Sequence, residues 1–165
     1  MKVKEFRTLL NESGNPYLVE KRTFKIDGRT VFDTPNKIAD FVMDSLEIQH
    51  DADETLWMLC MDTRNHLIGC HEISHGSATC TFMPVREVLM KALISGAVNI
   101  VLTHGHPGND PTPSKEDIEA TKRLFMASKL IGIQLADHLI VSKVGWYSMR
   151  AGGIMNFDKG KGEEK

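Results

Sequence analysis

The chain has 165 residues, 41% of them apolar and 25% charged, a composition that fits one globular domain and excludes a fibrous or largely disordered protein. Its formal net charge of −2 leaves no global basic footprint for nucleic acid, and its longest weakly polar stretch, Ala92 to Leu102, is too short to span a bilayer. No apolar signal core follows Met1-Lys2-Val3-Lys4, so a cytoplasmic protein without membrane contact is expected.

Residues 1–31 are expected to form an N-terminal extension. A short helix is predicted over 1–11, broken by Glu12-Ser13-Gly14-Asn15-Pro16, and an edge strand over Tyr17 to Ile26 closed by the turn Asp27-Gly28. Seven basic residues (Lys2, Lys4, Arg7, Lys21, Arg22, Lys25, Arg29) against four acidic ones give this segment a local excess of +3, read as a solvated face. Thr34-Pro35 then marks a helix start, with Ile38, Phe41, Val42 and Leu46 on its inner face and an end before His50.

Leu56 to Met61 reads as a buried strand, joined through Asp62-Thr63-Arg64-Asn65 to a second strand, Leu67 to Ile73, in a hairpin. By alternation Glu72 shares a face with Ile68 and Cys70, where an apolar residue is expected. A carboxylate there is either a general base or a group on the exposed face of an edge strand. Cys60, Cys70 and Cys80 stand ten apart without a C-x-x-C pair and are read as reduced, buried small hydrophobes, with a Cys60/Cys70/His75/Cys80 zinc site as the weaker alternative. Pro84 opens a helix whose core stripe is Val85, Val88, Leu89, Ala92 and Leu93, ended by Gly96, and Ile100 to Leu102 form a short central strand.

That strand runs into His104-Gly105-His106-Pro107, followed by Asp110-Pro111-Thr112-Pro113-Ser114 and a third helix from Lys115 to about Ile131. Its inward residues are predicted to be Ala120, Leu124, Ala127 and Ile131, with Gly132 as its stop. Strands over Ile133 to Leu135, His138 to Ser142 and Trp146 to Arg150 complete the pattern, and residues 153–165 are expected to be a disordered tail. His138, beside Asp137, is read as a hydrogen-bonded structural histidine, the alternative being a group that acts on the site through a neighbour.

Two histidines at i and i+2 project the same way if the pleat continues through them, and the first turn of the next helix can swing Asp117 towards them. Two imidazoles and one carboxylate hold a tetrahedral Zn²⁺ with its fourth position open to water, the arrangement of a hydrolytic metal site. Three prolines within seven residues, Pro107, Pro111 and Pro113, fix the path of the loop that carries these groups. Ser114-x-x-Asp117 has two readings: a helix N-cap with an acidic partner, or a hydroxyl aimed at a developing oxyanion beside a metal ligand. One Asp carboxylate is not expected to serve cap and metal equally well.

His104-x-His106, seven residues to Ser114 and two more to Asp117, with Glu72 on an upstream strand, resembles the JAB/JAMM (MPN⁺) metalloprotease signature. Residues 32 to 150 resemble more specifically its RadC-like branch, through Asp62-x-x-Asn65, His71-Glu72-Ile73-Ser74-x-Gly76, Pro84-x-Arg86-Glu87, the histidine loop and Asp137-His138-Leu139-Ile140. Gly105 stands where that family usually has Asn, and Gly108-Asn109 where Ser-Gly is usual. The resemblance implies His104, His106 and Asp117 as ligands of one Zn²⁺ per chain, Glu72 as general base and Ser114 as stabiliser of the intermediate.

The element order predicts an α/β protein, a mixed sheet with flanking helices in three layers. The resemblance implies the deaminase-like JAB/MPN fold over residues 32–152. The expected function is zinc-dependent cleavage of a peptide or isopeptide bond in a polypeptide substrate. The alternatives are a DNA-repair-associated protein or metal-dependent nuclease, which the net charge does not favour, and a non-catalytic MPN interaction module, which the full ligand set does not favour. A two-His-one-carboxylate set also suits Fe(II) oxygenases, but the added Glu and Ser favour hydrolysis.

Overall fold

The computed structural model of the chain describes residues 2–26, 31–76 and 83–157. Lys2–Leu10 is a strand, β1, and not the short helix expected over residues 1–11. Val3 and Glu5 point inward while Lys2 and Lys4 stay exposed, a period of two. Antiparallel pairing with β2, Pro16–Lys25, then outweighs local helix preference by satisfying the backbone from Lys2↔Lys25 to Leu10↔Pro16. The segment expected to break a helix makes the hairpin turn instead. Asn11 Oδ1 accepts from Ser13 N at 3.0 Å and Asn15 N at 2.9 Å, and Gly14 takes φ 76°. The turn expected at Asp27-Gly28 lies outside the described residues.

Thr34 and Pro35 start helix α1, Pro35–Phe41, with Thr34 Oγ1 accepting from Lys37 N at 3.5 Å. The helix widens into a π turn, Val42–Leu46, and after Glu47 at φ 56° tightens into a 3₁₀ turn, Ile48–His50. Strands β3, Thr55–Met61, and β4, Leu67–His75, form the predicted hairpin. Its turn is held by Asp62 Oδ1, which accepts from Arg64 N and His66 N at 2.8 and 2.9 Å. Helix α2 is Val85–Ile94, β5 Asn99–Gly105, α3 Lys115–Leu130, β6 Gln134–Ser142 and β7 Gly145–Ser148.

The strands form one mixed sheet in the order β2-β1-β4-β3-β5-β6-β7, parallel at β1/β4 and β5/β6 and antiparallel elsewhere. Every residue of β3 is buried, and its alternation divides the interior in two. Trp57, Leu59 and Met61 pack with Ile38, Phe41, Val42 and Leu46 on one face, while Leu56, Met58 and Cys60 pack with Val88, Ala92 and Leu124 on the other. The protein is thus the predicted three-layer α/β arrangement, with the sheet between α1 and the α2/α3 pair.

The inward faces of two helices differ from the sequence reading. In α2, Leu93 is largely exposed, and in α3 the buried residues are Thr121, Leu124 and Ser128, with Ile131 at the surface. The α3 face is set by position on the helix, i, i+3 and i+7, and two of its three members are polar. The ladders also skip Lys21, Ile68, Ile73 and Ala136, and two of these bear on the sequence reading. Ile68 is skipped between the pairs Cys60↔Gly69 and Met61↔Leu67, so Ile68 packs on the α2/α3 side while Cys70 packs on the α1 side. Glu72 therefore shares a face with Cys70 and not with Ile68. Ala136 is skipped likewise between Ile100↔Leu135 and Val101↔Asp137.

Cys60 and Cys70 are buried free thiols on opposite faces of the sheet, and burial pushes Cys60 up to about 12. The weaker cysteine site of the sequence reading needs Cys80, which lies outside the described residues. Of the expected tail, residues 153–157 are described and Phe157 is buried against Phe125; residues 158–165 lie outside. Among the described residues no helix is long and apolar enough to cross a membrane.

His71 is a buried group with a stability consequence. Ser95 Oγ donates to Lys91 O at 2.7 Å, so the 2.7 Å contact between Ser95 Oγ and His71 Nε2 uses the imidazole N–H, and Nδ1 has no partner. Burial, and then the Lys91 charge, lower His71 from 6.5 to about 4. The folded state holds it neutral, so its contribution is complete above the unfolded value and is lost as pH falls towards 4, on the order of 3 kcal/mol in all. Urea midpoints of the wild type are expected to fall between pH 7.5 and 5, and the fall to be shallower in His71→Gln; equal slopes would remove His71 as a source.

Candidate metal centre

Strand β5 lies near the centre of the sheet, and His104 close to its end pairs with Leu56 on β3 and Ile140 on β6. One residue past the strand, His106 N still donates to Val141 O at 2.8 Å. The pleat therefore continues through both histidines, and their rings meet on the α3 side with centroids 4.7 Å apart. Gly105 between them has a steric reason. A Cβ there would lie 2.7 Å from the backbone oxygen of Ile48, so the 3₁₀ turn occupies the space that any other residue would need.

The loop that follows holds the second imidazole from behind. His106 Nδ1 donates to Asp110 O at 2.8 Å, and Asp110 Oδ1 accepts from Thr112 N at 2.9 Å. Ser114 then caps α3 with a reciprocal box: its hydroxyl oxygen accepts from Asp117 N at 3.0 Å, while Asp117 Oδ2 accepts from Ser114 N at 2.8 Å and from Ser114 Oγ at 2.6 Å. The carboxylate has a second oxygen, and Oδ1 faces His104 Nε2 at 3.4 Å. Cap and site are served by one side chain after all, because the two tasks fall chiefly to different oxygens.

The three facing donors fit a small cation. His104 Nε2 and His106 Nε2 are 2.9 Å apart, and Asp117 Oδ1 and Oδ2 stand 3.4 and 3.6 Å from them respectively. Bonds of about 2.0–2.1 Å in a tetrahedral site imply donor separations of roughly 3.3 Å, within the range observed. Hydrogen bonding on the far side of His106 leaves its Nε2 lone pair facing the cluster. His104, His106 and Asp117 are the group of His, Cys, Asp or Glu found able to hold a metal ion among the described residues.

Charge supports the same place. Burial works to raise Asp117, but its contacts with His104 and His106 outweigh that and hold the carboxyl well below the usual range. His106 is raised, first by Asp117, against burial, and with help from the Asp110 carbonyl and the charge of Glu54. Glu54, just ahead of β3, is an acidic contributor that the sequence pattern did not reveal. His138 is the buried, hydrogen-bonded histidine expected from the sequence, and it also touches the site: its Nε2 lies 2.9 Å from His104 Nδ1, and burial holds it well below its ordinary range.

Glu72 has other company. Its carboxylate meets Lys21 Nζ at 3.5 Å and His75 Nδ1 at 3.4 Å. Its pairing partner Trp57 lies in the α1 core, whereas Leu56, the partner of His104, lies in the α2/α3 core, so the two side chains leave opposite faces of the sheet. The structure brings His104, His106, Asp117 and Ser114 together and holds Glu72 beside the N-terminal hairpin.

Comparison with known proteins bears on this site. A family model described as RadC-like JAB domain matches residues 32–154. A UPF0758 protein of Bacillus pumilus is 37% identical over 129 residues, which cover 78% of this chain and 57% of that protein. One from Clostridium novyi is 34% identical over 134 residues, 81% of this chain and 58% of its own length, and one from Halalkalibacterium halodurans is 36% identical over 129 residues, covering 78% and 55%. The chain thus spans a little over half the length of these relatives.

Adding one methyl group between the histidines tests the geometry. Gly105→Ala is expected to cost about 1–3 kcal/mol by overpacking against Ile48 and to weaken binding of a divalent cation about tenfold or more. Gly108→Ala, where a Cβ meets nothing within 4 Å, is the control. Unchanged affinity in Gly105→Ala, measured by competition with a metal indicator, would show that the 3₁₀ turn does not position the pair.

Proposed function

The chain belongs to the RadC-like JAB domain family, and from that premise we propose that it is a zinc-dependent hydrolase that cleaves a peptide or isopeptide bond with an activated water. The observation that carries this reading is the convergence of His104 Nε2, His106 Nε2 and the Asp117 carboxylate, whose Oδ1 and Oδ2 stand 3.4 and 3.6 Å from the two nitrogens, themselves 2.9 Å apart, with both imidazoles tied on their far sides. Zinc in that set would bring its bound water towards a pKa of about 7 and polarise the scissile carbonyl.

The chain's own residues supply the rest. His104, His106 and Asp117 keep two neutral donors and one anion fixed by the sheet, the proline loop and the helix cap, so no ordering of ligands is needed when the ion arrives. Glu72 is assigned the proton work: it takes a proton from the attacking water and returns it to the leaving amine. To do so its carboxylate must part from Lys21 and His75, contacts of 3.5 and 3.4 Å that are longer than ordinary hydrogen bonds, and the end of β4 must also shift, because Glu72 leaves the sheet on the face away from the ligands. Ser114 donates to Asp117 at 2.6 Å, and turning that hydroxyl towards a tetrahedral oxyanion exchanges one charge-assisted hydrogen bond for another. The net charge of −2 supports a polypeptide substrate in preference to DNA.

The test begins with metal content by elemental mass spectrometry, on protein prepared without an affinity tag or chelator. About one zinc per chain is expected, lost in His104→Ala/His106→Ala. In a screen of peptides and isopeptide-linked lysine conjugates, Glu72→Gln is expected to keep the metal and lose roughly 10²–10⁴-fold in turnover. No stoichiometric metal after zinc is supplied would overturn the reading, and undiminished turnover in Glu72→Gln would give the proton work to another group.

A further inference from the structure

Behind His104 runs a closed chain of buried polar groups. His104 Nδ1 lies 2.9 Å from His138 Nε2, His138 Nδ1 lies 2.7 Å from Thr121 Oγ1, and Thr121 Oγ1 lies 2.6 Å from the backbone oxygen of Asp117. His138 and Thr121 are fully buried and His104 nearly so, so water does not compete for these contacts.

The direction of every proton in the chain follows from its last member. A backbone carbonyl only accepts, so Thr121 spends its single hydroxyl hydrogen on Asp117 O. Towards His138 the threonine oxygen is then an acceptor, and His138 carries its proton on Nδ1. His138 Nε2 is left as an acceptor, so His104 must donate from Nδ1. The lone pair of His104 therefore sits on Nε2, the atom that faces His106 and Asp117.

The geometry points to Thr121 and His138 as positioning residues that lock His104 in the tautomer and ring orientation able to bind a metal through Nε2. The inference deepens the metal-site reading above and rests on it. Two features of the fold make the chain possible. The skipped residue Ala136 resets the alternation of β6, so His138 pairs with Leu102 and shares the α3 face with His104. Helix α3 brings Asp117 and Thr121 one turn apart on one face, so the same helix offers a ligand with one residue and orients a second ligand with the other.

The test separates this role from mere packing. Thr121→Val keeps shape and removes the hydroxyl, Thr121→Ser restores it, and His138→Phe keeps a ring without an acceptor. Zinc affinity is expected to fall about 10–100-fold in Thr121→Val and His138→Phe and to return to within about threefold of wild type in Thr121→Ser. Long-range proton–nitrogen correlation spectra of the metal-free wild type at pH 8 are expected to show both His104 and His138 protonated at Nδ1. Folded Thr121→Val and His138→Phe proteins that bind zinc as tightly as wild type would overturn the inference, as would a His104 protonated at Nε2. If the wild type binds no zinc, the hydrolase reading fails, and the spectra alone still decide the tautomer.

Discussion

Two imidazole nitrogens held 2.9 Å apart, each tied through its other nitrogen, repel one another unless a proton or a cation lies between them. That constraint organises the whole α3 side of the sheet. The buried end of β5 fixes His104, the continued ladder to Val141 fixes His106, and Asp117 supplies the negative charge that makes the arrangement tolerable. A proton relieves the repulsion of one pair of donors. A metal ion satisfies all three at once, and the far-side hydrogen bonds mean that no ring has to turn to receive it.

The start of α3 shows how a helix terminus can be placed at such a site without loss. Four N–H groups at a helix N-terminus need partners, and an acidic side chain there is also favoured by the helix dipole. Asp117 at N3 meets both demands while keeping one oxygen towards His104. A capping box contributes about 1 kcal/mol to the helix, so the carboxylate is oriented by local structure before any ion is bound. Thr121, one turn later, extends the same economy: its hydroxyl satisfies the Asp117 carbonyl and sets the polarity of the imidazole pair.

Local chemistry is what the sequence made legible. Thr34-Pro35, the Asp62 turn, the β3/β4 hairpin and the run from His104 to Asp117 all combine short-range capping, turn or loop chemistry with hydrophobic period, and each lies where the pattern placed it. What stayed hidden depends on partners far away in the chain. The helix expected at the N-terminus is a strand because β2 and β4 offer it ladders on both sides. The skipped residues Ile68 and Ala136 reverse the alternation, and nothing local in either stretch announces that. Thr121 and Ser128 carry no apolar signal in the sequence, because the inward face they form is polar where it meets His138 and the helix backbone.

The position of Glu72 separates the proposed chemistry into two parts built by different regions. The ligands come from β5 and α3, inside the matched region 32–154, while Glu72 is held by Lys21 from the hairpin outside it. Magnitudes decide how firmly. Glu5 is 1% exposed and pairs with Lys21 at 2.8 Å and with Arg22, so removing these two cations would leave a buried carboxylate unmatched and loosen the hairpin. The Lys21 to Glu72 contact is weaker in kind: at 3.5 Å, between side chains 52% and 33% exposed, it belongs with surface pairs worth under about 1 kcal/mol. The ion pair is therefore not what keeps Glu72 from the ligands; the face of β4 from which it projects is. The hairpin stays docked through Val3 and Phe24 in the α1-side core and through the pairing of Glu5 with Cys70, so bringing Glu72 to the ligands calls for a change in β4 itself, where the skipped residue Ile73 already interrupts the ladder beside it.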